Sequence, residues 1–287
     1  MSVIIIVVKY LEAVDMKLTY LGTAAAEGFP AVFCNCKYCT EARKLKGKNI
    51  RTRSQGLIND DMLIDFPADT YHHMLENCIE GDKIKYLIIT HSHQDHFYFE
   101  DFNMRHGAYA HDMRAEVLEV YCGQGTYDKM MKMGVPENIS VTLVEPFKSV
   151  RIGDYTVTPL PARHYAGDGA LIYLVSDGEK TVLYAHDTGY FFDEVITYLK
   201  DNKIKLDMIS LDCTNIDIPI PDNGSHMGLE NIGRLTSVLV ENGNILPKTI
   251  KYINHFSHNA NPIHHILEKR VASMGFEVSF DGCAVTV

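Results

Sequence analysis

The stretch Thr90-His91-Ser92-His93-Gln94-Asp95-His96 contains four potential metal ligands within six residues. It follows residues 85–90, a run that is apolar on both faces and predicts a buried strand. Because alternate side chains of a strand point to opposite faces, the four polar groups can converge only if they lie in a loop. Imidazole and carboxylate groups suit Zn, Mn or Fe. The loop is therefore predicted to bind two ions, one through His91 and His93 and the other through Asp95 and His96.

The composition is typical of a folded protein that does not cross a membrane. The 287 residues are 46% hydrophobic and 22% charged, and no apolar run approaches the roughly 18 residues that a spanning helix needs. The longest apolar run, residues 3–8, has no basic residue before it, which argues against a signal peptide and predicts a cytoplasmic protein. A formal charge of -10 argues against nucleic acid as a partner, since phosphate backbones require a basic face. A small phosphorylated substrate remains compatible with this charge.

Strands and helices are predicted in two successive β-rich halves. The first half has strands at 17–21, 62–66 and 85–90 and a helix at 69–78 that begins at Asp69 and turns Met74, Leu75 and Cys78 inward. The second half has strands at 155–160, 170–176, 181–185, 206–211 and 249–254, helices at 192–199, 228–240 and 262–274, and a closing hairpin of 276–280 with 283–287. Two such halves predict two sheets packed face to face with helices outside. This α/β/β/α domain would cover residues 16–287, and residues 1–15 would form an N-terminal extension.

Further potential ligands follow the other predicted strands. They are Asp65, His164, Asp187 and His255. The order of Asp65, the H-x-H-x-D-H stretch and these later residues resembles the five motifs of the metallo-β-lactamase superfamily over essentially residues 16–287. The resemblance implies a four-layer αβ/βα sandwich with a binuclear site of two divalent metals (Zn, Mn or Fe) at one edge of the sheets. It also implies the ligands: His91, His93 and His164 for one metal, Asp95, His96 and His255 for the other, and Asp187 bridging them. Asp65 would orient the ligand loop from behind.

Three cysteines are crowded into Cys34-Asn35-Cys36-Lys37-Tyr38-Cys39. In a chain without a secretion signal, this C-x-C-x-x-C spacing indicates metal binding, not disulfides. Three thiolates leave a tetrahedral zinc one ligand short, and His258 is the candidate fourth ligand of one structural zinc. The remaining cysteines lie in apolar runs and are predicted to be small core residues: Cys78, Cys122, Cys213 and Cys283.

Two further stretches indicate which families within the superfamily the chain resembles most. They are the segment from Gly22 to Pro30 and the motif His255-Phe256-Ser257-His258. The first is similar to the phosphoribosyl 1,2-cyclic phosphate phosphodiesterases of phosphonate degradation and to the pyrroloquinoline quinone biosynthesis B proteins, and the second resembles the H-x-x-H motif of the phosphodiesterases. The intact H-x-H-x-D-H favours the phosphodiesterases. The segment ending in Asn223-Gly224-Ser225-His226 resembles the part of that family that carries a catalytic histidine, which implies that His226 is a general acid. Residues 163–168 depart from the family and residues 97–135 have no firm alignment with it, and both segments should line the substrate pocket.

The expected function is therefore a metal-dependent phosphodiesterase that opens small cyclic phosphate esters, such as phosphoribosyl cyclic phosphate or a cyclic nucleotide, with a metal-activated hydroxide. Asp95, Asp187 and His226 would be its catalytic residues. Arg51 and Arg53 are either contacts for a substrate phosphate or solvated surface residues. The alternatives are a tRNA 3′-end-type nuclease, a lactonase, lactamase or thioesterase, and a non-catalytic binding protein of cofactor biosynthesis. A homodimer is expected from the symmetry of most oligomers.

Overall fold

A computed structural model describes residues 16–165 and 169–287, so the predicted extension at 1–15 lies outside the described residues. The first half of the chain forms strands β1 (Lys17–Gly22), β2 (Gln55–Ile58), β3 (Met62–Ile64), β4 (Tyr86–Ile89), β5 (Leu118–Cys122) and β6 (Ile139–Leu143). The second half forms β7 (Val150–Ile152), β8 (Tyr155–Pro161), β9 (Leu171–Ser176), β10 (Thr181–Ala185), β11 (Leu206–Asp212), β12 (Ile245–Asn254), β13 (Glu277–Val278) and β14 (Cys283–Thr286).

Six α-helices connect or flank these strands. They are α1 (Lys37–Leu45), α2 (Thr70–Glu76), α3 (Gln124–Met133), α4 (Asp193–Asp201), α5 (Leu229–Glu241) and α6 (His264–Val271) among the described residues. A 3-10 helix at Phe99–Arg105 follows the histidine-rich loop.

The strands form two seven-stranded sheets with the same internal pattern. The first has the order β14-β1-β2-β3-β4-β5-β6 and the second β13-β12-β11-β10-β9-β8-β7. In the first sheet the neighbours from β14 to β3 pair antiparallel and those from β3 to β6 pair parallel. In the second sheet the neighbours from β7 to β10 pair antiparallel and those from β10 to β13 parallel. The position of β3 in one sheet thus corresponds to that of β10 in the other.

Three apolar layers hold the sheets and helices together. Leu18, Ile64 and Ile88 of the first sheet pack on Val157, Tyr173 and Met208 of the second. The outer face of the second sheet is covered by α4, α5 and α6 through residues such as Val195, Leu235 and Leu267. The outer face of the first sheet packs on the 3-10 helix and α3 through Phe102 and Met130. The predicted αβ/βα sandwich is confirmed.

The carboxyl ends of the parallel strands bring chemically active residues together. Asp65 directly follows β3, whereas His91 lies two residues beyond the end of β4 and Asp187 two residues beyond the end of β10. Asp212 is the last residue of β11, and His255 follows β12. Because carboxyl ends of neighbouring parallel strands meet at one sheet edge, residues far apart in sequence share one site.

The predicted closing hairpin is wrong. Strand β13 pairs in parallel with β12 in the second sheet, whereas β14 pairs antiparallel with β1 in the first. The turn between them carries Asp281, whose carboxylate accepts hydrogen bonds of 2.6 Å from Thr23 Oγ1 and from the amide of Thr52. These long-range contacts direct the chain from one sheet to the other, although Asp281-Gly282 is locally a hairpin signal.

The face that α2 buries also differs from the prediction. Thr70 and His73 are buried and Met74 is partly buried, whereas Leu75 and Cys78 are exposed, so Cys78 is not a core residue. His73 is buried because Gln55 Oε1 and Thr52 Oγ1 lie 2.5 and 2.6 Å from its two ring nitrogens. Asp69 occupies the N-cap position but makes no capping bond with its side chain. The predicted core positions of Cys122, Cys213 and Cys283 are confirmed by their burial.

Candidate metal centre

The first group of potential ligands consists of His91, His93, His164 and Asp187, whose ligand atoms all lie within 4.8 Å of one another. His164 Nε2 is 3.1 Å from His93 Nδ1. His91 Nε2 is 3.2 Å from Asp187 Oδ2. The sequence placed these four residues at one metal, and the structure brings them together.

The second group consists of Asp95, His96, Asp187 and His255. Nε2 of His96 lies 3.3 Å from Nε2 of His255 and 3.2 Å from Asp187 Oδ2. Asp187 is therefore common to both groups. This is the arrangement that the resemblance implies for a carboxylate bridging two metals.

The donor atoms are arranged in a way that suits binding to metal ions better than hydrogen bonding to one another. Within the part of the chain that the structure describes, the buried His91 Nε2 and Asp187 Oδ1 make no hydrogen bond. His91 Nε2 lies near Asp187, but its geometry is not that of a hydrogen bond. Two nitrogens on one tetrahedral zinc, at Zn–N of about 2.0–2.1 Å, are about 3.3 Å apart, which matches the His96–His255 distance of 3.3 Å. Buried polar atoms that converge without hydrogen bonding require another partner.

Two of the candidate imidazole ligands and the shared carboxylate have pKa values that favour the metal-binding form. Burial lowers the pKa of His91, and it lowers the pKa of His164 to about 4. Burial alone would raise the pKa of Asp187, but the charge of His255 and the nearby ring nitrogens of His226, His91 and His96 hold it well below its ordinary value. Neutral imidazoles and ionised carboxylates are the forms that bind metals.

Three residues of the centre have a backbone conformation that is unfavourable for residues with a side chain. The φ angles are 67° at Asp65, 54° at Asp187 and 63° at His255. Left-handed residues other than glycine store strain, and such residues cluster at functional sites. Each of the three follows the end of a strand, where the turn out of the sheet aims the side chain at the centre.

A layer of hydrogen bonds behind the ligands fixes their orientation. The Asp65 carboxylate accepts hydrogen bonds from the amide of Thr90 at 2.7 Å and from Nδ1 of His96 at 2.7 Å. Gln55 Nε2 donates to the Asp65 carbonyl at 2.9 Å. On the other side of the loop, Lys129 Nζ donates to the Ser92 carbonyl at 2.9 Å. The predicted place of Asp65 behind the ligands agrees with this geometry.

His226 lies beside the shared carboxylate. Its Nδ1 is 3.0 Å from Asp187 Oδ1 and 3.3 Å from Asp212 Oδ2. Burial lowers its pKa, but the proximity of these two carboxylates outweighs burial and raises it to about 11. Its side chain is 26% exposed, so one side of the ring faces solvent.

Asp212 is a site residue that the sequence reasoning missed. It is fully buried, and its Oδ2 lies 3.3 Å from Nδ1 of His255 as well as from His226. Its Oδ1 accepts hydrogen bonds from the amides of Thr214 and Met227, at 3.0 and 2.9 Å. The signal that could have found it is its position at the end of a buried strand, as for Asp65 and Asp187.

The cysteine cluster forms a separate group with His258. Ligand atoms of Cys34, Cys36, Cys39 and His258 all lie within 4.8 Å of one another. His258 Nδ1 is 3.3 Å from Cys34 Sγ and 3.6 Å from Cys36 Sγ. Burial would raise the pKa of Cys36, but hydrogen bonds from the Cys39 amide and His258 lower it to about 6. The structure thus brings together the four residues that the sequence grouped.

Neither arginine considered from the sequence is a solvated surface residue. Arg51 is buried and donates hydrogen bonds to Thr23 Oγ1 at 2.8 Å and to the Ser279 carbonyl at 2.6 Å. Burial lowers its pKa to about 10. Arg53 is partly buried and donates to both carboxylate oxygens of Asp69, at 2.7 and 3.0 Å.

Comparison with known proteins places this centre in a family. The model of the beta-lactamase superfamily domain matches residues 63–242, more than half of the chain. The chain belongs to the metallo-β-lactamase superfamily and is a hydrolase of that fold, which implies divalent metal ions. A search among curated proteins found no match.

Solved structures share the fold at low sequence identity. A diphosphatase from the PhnP family is 19% identical with a TM-score of 0.72, over 95% of this chain and 97% of the other. Zn²⁺-bound PqqB from Methylobacterium extorquens is 15% identical with a TM-score of 0.73, over 94% and 100%. The short form of human tRNase Z is 13% identical with a TM-score of 0.63, over 94% and 99%. These similarities support the fold alone. The reaction has to be inferred from the residues of the metal centre.

No helix in the described ranges, 16–165 and 169–287, has both the length and the apolar character needed to cross a bilayer.

Proposed function

We propose that the protein is a binuclear metal-dependent phosphodiesterase that opens small cyclic phosphate esters. The observation that carries this proposal is the position of His226, whose Nδ1 lies 3.0 Å from the carboxylate oxygen of Asp187. Asp187 is common to both ligand groups. A proton donor is therefore held beside the place where two metals would meet.

The two ligand groups are the proposed metal sites, with Asp187 contributing to both. When bound, two divalent metals would activate a water molecule and neutralise the charge that develops on the phosphoryl oxygens. Asp95 supplies a second carboxylate, which lies 3.4 Å from His96 Nε2. The pKa of Asp95 is lowered despite its burial, mainly by the charge of His96, so the carboxylate is ionised and suited to a cation.

His226 is the proposed general acid. An alkoxide that leaves from phosphorus needs a proton, and a positioned acid contributes roughly 10²–10⁴-fold to the rate. Asp212 holds His226 through Nδ1, which leaves the opposite ring nitrogen for the leaving group.

We also propose that Cys34, Cys36, Cys39 and His258 hold one structural zinc. Four protein ligands close the coordination shell, so such an ion has no position for a substrate. It would tie the segment before α1 to the loop after β12, because His258 lies three residues beyond His255. The cysteine site would therefore support the catalytic centre mechanically.

A turnover screen tests the proposed reaction. Mn- and Zn-loaded protein is assayed with bis-p-nitrophenyl phosphate, cyclic nucleotides and phosphoribosyl cyclic phosphate, and in parallel with nitrocefin, a homoserine lactone and a precursor tRNA. The proposal predicts turnover of the small phosphodiesters and none of the lactam or lactone. Faster hydrolysis of nitrocefin or the lactone than of every phosphodiester would contradict it.

A further inference from the structure

A cluster of hydrogen-bonded polar side chains is buried between the two sheets, next to the strand ends that carry the metal ligands. The first sheet side contributes Tyr20 and Ser54, and the second contributes His186, Ser210 and Asn254. All five are buried. The proposed reaction uses none of them. Polar groups are costly to bury in an apolar layer, so such a cluster indicates a specific requirement at this place.

His186 is the centre of this cluster. Asn254 Nδ2 donates a hydrogen bond to Nδ1 of His186 at 2.9 Å. Because an amide nitrogen only donates, Nδ1 carries no hydrogen, and Nε2 donates to Ser210 Oγ at 2.6 Å. Tyr20 donates to the same oxygen at 2.7 Å. Both ring nitrogens of His186 are therefore bonded to protein groups, unlike those of the histidines that face the metal centre.

His186 and Asn254 each come immediately before a candidate metal ligand. The ligands are Asp187 and His255, with φ angles of 54° and 63°. Each ligand therefore leaves its strand through a strained, left-handed turn, which persists only where its surroundings hold it. The hydrogen bond between the two preceding side chains joins the bases of these two turns.

Backbone pairing connects the two turns only through a third strand. Strand β11 lies between β10 and β12 and pairs in parallel with both. The last paired residues of these ladders are Ala185 with Leu211 and Asp212 with Asn254. With neighbouring strands about 4.8 Å apart, β10 and β12 are separated by two such spacings. The bond between the side chains of His186 and Asn254 therefore adds a direct connection between the two outer strands.

We propose that the hydrogen bond between His186 and Asn254 sets the separation of the two ligands that follow them. In this structure Asp187 Oδ2 lies 3.8 Å from Nε2 of His255. Both ligands belong to the second group, whereas the first group contains only Asp187 of the two. Loss of the bond should therefore weaken the second metal more than the first. The inference rests on the proposed metal centre and adds two positioning residues to it.

His186→Phe tests the inference, because phenylalanine keeps a ring of similar size and removes both hydrogen bonds. His186→Gln is the conservative variant, since its amide can still donate and accept. The control is His264→Phe. His264 is also buried, with Nδ1 3.0 Å from Arg51 Nη2, and it belongs to neither ligand group. Competition with a chromophoric chelator measures the zinc affinities, and anomalous diffraction at limiting zinc assigns them to the two sites.

We expect His186→Phe to weaken the second metal by about 10–100-fold, the usual effect of losing a group that orients a ligand. The first metal should be affected much less. His186→Gln should recover most of the lost affinity, and His264→Phe should bind both metals as the wild type does. Unchanged affinity for the second metal in His186→Phe, or the same loss in His264→Phe, would overturn the inference.

Crystal structures of metal-free wild type and His186→Phe separate this inference from the proposed metal centre. The separation between Asp187 Oδ2 and His255 Nε2 should change by more than about 0.5 Å, the tolerance of a functional geometry. An unchanged separation would overturn the inference. A wild type that binds no metal at the centre would contradict the proposed function, and the measured separation would still decide the role of His186.

A double variant keeps the test decisive if His186→Phe does not fold. In His186→Leu/Asn254→Leu both partners are apolar, and replacing both partners of a buried hydrogen bond costs much less stability than removing one. The same weakening of the second metal and the same change in separation are expected. A folded double variant with wild-type affinity and separation would overturn the inference.

Discussion

Nδ1 of His96 donates a hydrogen bond of 2.7 Å to the carboxylate of Asp65, and both residues are fully buried. This bond fixes the imidazole so that Nε2 faces Asp95, Asp187 and His255. Asp65 itself does not belong to either ligand group. The orientation of a candidate ligand is thus determined by a residue from the neighbouring strand.

Asp65→Asn should weaken metal binding at the second group by about 10–100-fold, the usual effect of losing a partner behind a ligand. Asparagine tolerates the left-handed backbone at this position, where φ is 67°, so the substitution changes charge with little added strain. Competition with a chromophoric chelator measures the affinity. Asp154→Asn, in a fully exposed turn, is the control. Equal affinity in both variants would remove Asp65 from the site.

Gly189→Ala should displace the segment that carries His226. A Cβ at residue 189 would lie 1.9 Å from the Gly224 carbonyl oxygen, so the backbone must move. We expect a lower kcat for esters with poor leaving groups and unchanged metal content, because Gly189 is not in a ligand group. Gly178→Ala, where the added Cβ meets no atom within 4 Å, is the control for a glycine change, although its φ of 100° adds strain. Wild-type kcat in Gly189→Ala would contradict the placement of His226.

His226→Ala should reduce kcat by roughly 10²–10⁴-fold on esters with alkoxide leaving groups, the usual contribution of a positioned acid. Nitrophenyl esters, whose leaving group needs little protonation, should lose much less. Parallel assays of the two ester types, together with elemental analysis of the variant, measure the difference. Equal losses on both types, or a missing metal ion, would show that His226 has another role.

Cys36→Ser should lower the zinc content and the midpoint of thermal unfolding, because a four-ligand zinc contributes directly to folding. The midpoint of unfolding should fall clearly, whereas the kcat of the correctly folded variant should change little. Elemental analysis and calorimetry measure the two effects, with Cys78→Ser as the control because Cys78 is exposed. A disulfide among Cys34, Cys36 and Cys39 in natively purified, freshly reduced protein would contradict a zinc site.

The sequence predicts the sandwich, and it predicts that the candidate ligands follow the ends of strands, for one physical reason. Ligand side chains at the centre follow apolar strands, and strands with strong apolar patterns can be located from sequence. Asp187 follows a run that is apolar at Val182 and Leu183, and His255 follows Tyr252-Ile253. Parallel pairing then brings these ends to one edge.

The features that sequence reasoning missed depend on contacts between distant segments. Arg51 is buried because Thr23, Ser279 and His264 surround its guanidinium, and these residues are 28, 228 and 213 positions away. The final two strands separate into different sheets because Asp281 bonds to Thr23 and Thr52. No local pattern contains this information, and a turn signal such as Asp281-Gly282 describes only four residues.

Metal stoichiometry tests the central claim most directly, because the claim is that Asp187 belongs to two metal sites at once. Elemental analysis of wild-type and Asp187→Asn protein, loaded with zinc and freed of excess ion, gives the number of ions per chain. We predict three zinc ions in the wild type and retention of the cysteine-bound ion alone in Asp187→Asn, with no change in far-UV circular dichroism. A wild type with one ion per chain, or a folded Asp187→Asn variant that keeps all three, would contradict a shared binuclear centre.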